Sequence, residues 1–208
     1  MLSCGGDAAQ TGTARRKDRP VDAHSRFAHF KQPAIIVITG IQAAGKSTIA
    51  RLLARRFARG VHVEADALQR MIVSGGEWPE APGEPGPEAA RQLRLRLKHM
   101  CLLGISFYEA GFAAVLDDII LGDRWPQLQA DLRGYPFSLA VLAPRREVVV
   151  RQRDLQRDVR PVGAAWADYL DGVLWQTMAG AGLWVDSSEQ TPEETVEAIV
   201  DGLWPEGG

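Results

Sequence analysis

The sequence predicts an α/β fold: a parallel sheet covered by helices on both faces. Three observations lead there. Short apolar runs, most of them bounded by Gly, Pro or Asp, recur along the chain as buried parallel strands do. The longer stretches between them space their apolar residues by three and four, the period of a helix face. The two patterns alternate, which is the signature of strand–helix–strand units rather than of separate β and α domains.

The elements follow in chain order. Residues 34–39 form the first strand run, and Ile49, Leu52, Leu53 and Phe57 mark the helix behind it. A second run covers 61–64. After a break, Leu93, Leu97, Met100, Gly104 and Phe107 outline a long helix that leads to a third run, Ala113–Asp117. A helix over 125–133 precedes the fourth run at 138–142, and helices over 145–158 and Ala164–Met178 precede the fifth, Leu183–Val185. The final helix is expected over 193–203. Thr191-Pro192 before it reads as an N-cap with proline at the first helical position, and Glu193 and Glu194 suit the positive end of the dipole.

Two segments break the rhythm. Residues 1–32 are polar, carry arginines and lack sustained periodicity, so they read as a disordered tail ahead of one domain over 33–208. Asp7, Asp18 and Asp22 argue against an organelle transit peptide. Residues 74–88, rich in Pro and Gly, form a loop too long to be a simple connection. Its one large apolar residue, Trp78, serves either as surface filler or as part of a lid over a substrate.

Bulk properties exclude several classes. A net charge of −2 supplies no broad basic field, which argues against a nucleic-acid binder. The two cysteines, Cys4 and Cys101, have no paired spacing, so a disulfide framework or zinc site is not expected, and a reducing cytosol suits them. No apolar run approaches the roughly 18 residues of a membrane span, and no signal-peptide core follows Met1. The expectation is a cytoplasmic protein. Histidines 24, 29, 62 and 99 form no ligand set, and His62 reads as a satisfied pocket or core residue.

The strongest local signal is "GIQAAGKST", directly after the first strand run and opening the next helix. Gly40 and Gly45 bracket four residues, and Lys46-Ser47-Thr48 follow. Glycines there allow backbone N–H groups to close around phosphate oxygens, and the helix N-terminus adds partial positive charge. The whole loop, Gly40, Ile41, Gln42, Ala43, Ala44, Gly45, Lys46, Ser47 and Thr48, is therefore assigned to nucleotide binding. Lys46 would reach the β- and γ-phosphates, and the Ser47 hydroxyl would complete the shell of a Mg²⁺ ion. Of the 24 basic residues only four are lysines, so one inside this loop is conspicuous.

Acids at other strand ends should share the crevice. Asp117 and Asp118 end the third run and, being adjacent, point to opposite faces. One would serve the metal and the other the substrate or a basic partner; the residues alone leave open which, with Asp117 taken for the metal and Asp118 for the substrate. Asp66, just past the second run, either takes a proton from an attacking hydroxyl or caps the following helix at 68–73. Glu64, two residues earlier, is its rival. Among the arginines of the 145–160 region, Arg153 and Arg157 are candidates for nucleotide phosphate, and Arg157 and Arg160 lie nearest the Pro161 and Gly163 break, where a short lid would sit. A merely solvated helical face is the alternative for all of them.

Together "GIQAAGKSTIARLL", "EADALQRMI", "GPEAARQL", "AGFAAVLDDIILG", "RDVRPVG" and "WVDSS" resemble the chloramphenicol phosphotransferase family of P-loop kinases over most of residues 34–186. The resemblance implies a three-layer α/β/α P-loop fold with a five-stranded parallel sheet of the nucleoside-monophosphate-kinase type. It implies ATP- and Mg²⁺-dependent transfer of the γ-phosphoryl to a hydroxyl of a small molecule, with Asp66 as base, Lys46 as the loop lysine and Arg160 as the lid arginine. Residues 1–32 have no counterpart in the pattern, and the 74–88 loop departs from it, so the acceptor's identity does not transfer. Chloramphenicol or another antibiotic is one expectation. A kinase for a nucleoside, nucleotide or polynucleotide 5′-hydroxyl is a second, and a nucleotide-sensing ATPase that transfers nothing is a third.

Overall fold

The computed structural model describes residues 32–150 and 163–205. The first strand, β1 (Ala34–Gly40), is buried from Ile35 onward, as an uninterrupted apolar run in the middle of a sheet must be. It pairs in parallel with β3 (Ala113–Asp117) on one side and β4 (Phe137–Leu142) on the other. The second strand, β2 (Gly60–Glu64), pairs with β3, and β5 (Leu183–Val185) pairs with β4. The order β2-β3-β1-β4-β5 makes a five-stranded, wholly parallel sheet. All five strand expectations fall within a residue of these bounds.

The direction of strand addition reverses at β1, the place where open α/β sheets hold their ligands. Register sharpens this. Asp117 lies opposite both Ile38 of β1 and Glu64 of β2, so the carboxyl ends of three strands finish side by side.

Right-handed crossovers predict helix α1 (Lys46–Ala54) on one face and α3 (Pro87–Glu109) and α4 (Arg124–Asp131) on the other. The packing agrees: α1 lies against α7 (Pro192–Leu203), and α3 lies against α4. The short α2 (Ala65–Gln69) follows β2 directly, α5 (Arg146–Val148) follows β4, and α6 (Ala164–Met178) spans the predicted bounds. The longer helix expected over 145–158 is seen as α5 with a π turn at 149–150; its remainder lies outside the described residues. At the start of α7, Thr191 accepts from the Glu194 N–H at 3.2 Å while Glu194 accepts from the Thr191 N–H at 2.8 Å. This capping box, with Pro192 at the first position, bears out the N-terminus expected from sequence.

One core fills both interfaces. Ile36, Val37, Ala114, Leu116, Ala140 and Leu142 form its sheet layer. Leu53 enters it from α1, Leu97 and Met100 from α3, and Ile199 from α7. Cys101 is also buried, and burial pushes its thiol up to about 12, with Asp131 and Asp118 adding to the shift. The thiolate is the reactive form. Cys101 should therefore resist alkylation in the folded protein and label readily once denatured, as mass mapping of the modified cysteine would reveal.

Candidate functional site

The loop after β1 takes its shape from two glycines. Gly40 has φ +146°, and a Cβ there would sit 2.4 Å from the Leu142 carbonyl oxygen, so no other residue fits between β1 and β4. Gly45, with φ +97°, turns the chain into α1. Between them Ala43 is also left-handed, at φ +59°, a conformation that costs a non-glycine residue about 1–2 kcal/mol. Such strain gathers where a backbone is shaped for a ligand. Lys46 donates to the Ile41 carbonyl at 2.9 Å, which holds its ammonium over the loop. The first turn of α1 carries no acidic side chain to oppose an anion.

A cavity of about 510 Å³ opens from this loop. Its walls include Gln42 to Ile49, Glu64, Asp66, Asp117 and Asp118, with Ser187, Gln190 and Thr195 at another part of the lining. Its size suits a nucleotide-sized ligand. The Gln190 side-chain oxygen is buried with no hydrogen-bond partner among the described residues, which leaves an acceptor for an incoming donor.

The adjacent acids do point apart. Asp117 accepts from the Ser47 hydroxyl at 2.6 Å through Oδ2 and from His62 Nε2 at 3.1 Å through Oδ1. Asp118 turns the other way, to Arg96 at 2.5 Å and to the Ile119 N–H at 2.7 Å. Thr39 steadies the segment behind them by accepting from the Ile120 N–H at 2.9 Å. His62, expected as a satisfied core or pocket residue, is partnered by Asp117.

Asp66 is not a helix cap. Glu64 occupies that position, and Asp66 lies in the first turn of α2. The cap expectation failed because the helix, expected over 68–73, starts three residues earlier, at Ala65. The Asp66 carboxylate is instead about half exposed (47%) into the cavity and accepts from Arg96 at 3.1 Å. Its rival Glu64 lines the same cavity and sits 3.6 Å from Arg70. The arginine candidates Arg153, Arg157 and Arg160 lie outside the described residues.

Arg96 is the residue that sequence reasoning missed. It lies on α3 with 5% of its side chain exposed and joins Asp66 to Asp118, while the half-exposed Trp78 sits over its guanidinium at 5.5 Å. A signal was present: Arg96 falls on the stripe of Leu93, Leu97 and Met100 rather than opposite it. Two buried glutamines, Gln69 and Gln92, fix the loop that carries Trp78. Gln92 accepts from the Glu77 N–H at 2.8 Å and donates to the Gly75 carbonyl at 2.7 Å, and Gln69 donates to Gln92 at 3.0 Å. The 74–88 segment is therefore tied to α2 and α3.

Removing one partner of a buried ion pair leaves the other as an uncompensated charge, at about 3–5 kcal/mol. Arg96→Met should lower unfolding free energy by about that amount. Combining it with Asp118→Asn should recover much of the loss. Urea unfolding of both variants measures this, and a neutral effect of Arg96→Met alone would refute the pairing.

The family model of chloramphenicol phosphotransferase-like proteins matches residues 33–203. The chain belongs to the chloramphenicol phosphotransferase-like family. As a member it is an ATP-dependent kinase, and the coarse reading of a small-molecule kinase holds. No functionally curated protein matches it in sequence. Among solved structures it is similar to the tunicamycin resistance protein of Deinococcus radiodurans, with 20% identity and a TM-score of 0.61 over 83% of this chain and 96% of that one. It is also similar to an APS kinase of Mycobacterium tuberculosis solved with AMPPNP and APS, at 12% identity and a TM-score of 0.60, covering 83% and 98%. A sugar kinase of Janibacter sp. HTCC2649 gives 18% identity and a TM-score of 0.58, covering 82% and 94%. These likenesses establish the three-layer α/β/α fold that the chain shares with P-loop kinases.

Proposed function

We propose that the chain moves the γ-phosphoryl group of ATP to a hydroxyl of a small molecule, with Asp66 as the general base. The observation that carries this is the half-exposed Asp66 carboxylate on the wall of the cavity that the phosphate loop opens into. Lys46 and the loop N–H groups hold the β- and γ-phosphates, and the Ser187–Thr195 end receives the nucleoside. For Mg²⁺, the Ser47 hydroxyl and Asp117 carboxylate offer hard oxygens 2.6 Å apart beside the loop, a donor set that fits an ion which takes few protein ligands and keeps water and phosphate oxygens. When bound there, the ion would neutralise charge on the phosphates. The arginines 153, 157 and 160, which lie outside the described residues, would stabilise the charge that develops on the transferred group.

Arg96 holds the Asp66 carboxylate while Asp118 anchors Arg96 in turn, so the base is kept in one orientation toward an incoming hydroxyl. The acceptor itself is expected in a second cavity of about 380 Å³, walled by the 74–88 loop, α3 and α6. Hydroxylated antibiotics, chloramphenicol among them, are one acceptor class. The family description and the resistance protein of Deinococcus radiodurans support including them. The test is ATP-dependent phosphorylation, read by product mass, across hydroxylated antibiotics, sugars, hydroxy acids, nucleosides and 5′-hydroxyl oligonucleotides. Phosphorylated small alcohols are expected. Product from nucleosides or oligonucleotides alone would favour the 5′-hydroxyl kinase instead.

A further inference from the structure

The second cavity contains a cation with nothing to hold. Arg124, at the start of α4, lines it, is only partly exposed, and makes no side-chain hydrogen bond or close ion pair among the described residues. Burial pushes its guanidinium below the ordinary arginine range, and neighbouring Arg96 adds to that, while Asp118, Asp123 and Tyr169 oppose it. The nearby carboxylates do not close on it. Asp118 gives its Oδ1 to Arg96 and its buried Oδ2 makes no hydrogen bond among the described residues, Asp123 sits 3.5 Å from Arg94, and Glu84 is exposed. Arginine's planar fork, left here without a protein partner among the described residues, is suited to a bidentate oxyanion.

The remainder of the wall is different. Leu93, Leu121, Trp166, Tyr169 and Val173 make it largely apolar and aromatic. The segment leaving β3 links this space to the nucleotide side: Asp117, Asp118 and Ile119 line the first cavity, and Leu121 to Arg124 line the second. Along α3, Leu93 and Arg94 face the second cavity while Arg96 reaches Asp66.

We propose that the acceptor is an acidic alcohol, a small hydroxy acid with a ring or short apolar body whose carboxylate is received by Arg124. The proposal rests on the kinase reading above and names its substrate class. Arg124 then acts as the specificity-determining residue. An uncharged acceptor leaves the guanidinium unsatisfied, whereas a carboxylate completes its hydrogen bonds and places a hydroxyl on the Asp66 side.

Quinate, shikimate and gluconate, each against its carboxamide, provide the probes. Calorimetric Kd and kcat/KM are measured on the full chain and on Arg124→Gln and Arg124→Lys. At least one acid should be favoured over its amide by about tenfold or more, as expected for hydrogen bonds to a charged group. Arg124→Gln should erase that preference mainly through KM, Arg124→Lys should retain part of it, and ATP affinity should be unchanged in both. If Arg124→Gln fails to bind ATP, the lysine variant decides through its reduced preference. Equal handling of acid and amide, no binding of either, or a preference that survives in Arg124→Gln overturns the proposal. So does a loss of stability that weakens acid and amide alike, since that marks Arg124 as a prop for Asp118. Phosphorylation of chloramphenicol or other uncharged alcohols alone overturns the anionic acceptor and leaves the kinase reading standing. Arg124-dependent acid binding without transfer to any alcohol does the reverse.

Discussion

Asp66→Asn is expected to lower phosphoryl transfer by about 10² to 10⁴, the usual contribution of a positioned general base. The substitution is nearly isosteric, and its remaining side-chain oxygen can still accept from Arg96, which reaches Asp66 at 3.1 Å. Position and fold should therefore survive while the proton acceptor is lost. ATP affinity should change little, because the Asp66 side chain is hydrogen-bonded to Arg96 on α3 and not, among the described residues, to the loop that grips phosphate. The effect should fall on kcat and kcat/KM together, the pattern of an interaction needed for the chemical step. Steady-state kinetics with a fixed acceptor and varied ATP separates the two. Near-wild-type transfer would remove Asp66 from the role and turn attention to Glu64 on the same cavity wall.

Lys46→Ala is expected to lower turnover by about 10² to 10³, comparable to removing one preorganised donor from a charge-stabilising site. Lys46 opens α1 and is held over the loop by the Ile41 carbonyl. Its loss takes away a point charge at the β- and γ-phosphates but leaves Gly40 and Gly45 shaping the backbone. ATP binding should weaken as well as transfer, in contrast with Asp66→Asn. Lys46→Arg should rescue poorly, because the wider guanidinium does not fit a space built for a compact ammonium. Calorimetric ATP binding and initial rates on the three proteins check this. Unchanged ATP turnover in Lys46→Ala would contradict the loop's role.

Much of the scaffold was legible because its signals are local. Buried parallel strands are short apolar runs with little else to be mistaken for, and Thr191-Pro192 with Glu194 announces a helix start within four residues. The phosphate loop is similarly contiguous. What was not legible depends on residues far apart in sequence. Asp66, Arg96 and Asp118 meet only after β2, α3 and β3 assemble, and an arginine on an amphipathic helix reads first as solvent-facing. Gln69 and Gln92 are polar residues in buried positions, justified only by the loop carbonyls and N–H groups they satisfy. Asp117 and Asp118 were separable in principle by their alternation, but nothing local says which of them meets Ser47. The second cavity draws its wall from the 74–88 loop, α3, the start of α4 and α6, so no single segment hints at it.

The fate of the γ-phosphoryl group tests the central claim most directly. With γ-labelled ATP, Mg²⁺ and an acceptor found in the panel, label should pass to the acceptor in the wild-type protein, leaving only a minor fraction as free phosphate. Asp66→Asn should abolish most of that transfer while labelled ATP still binds. Label released solely as inorganic phosphate, whatever alcohol is supplied, would contradict a phosphotransferase and leave an ATPase in its place.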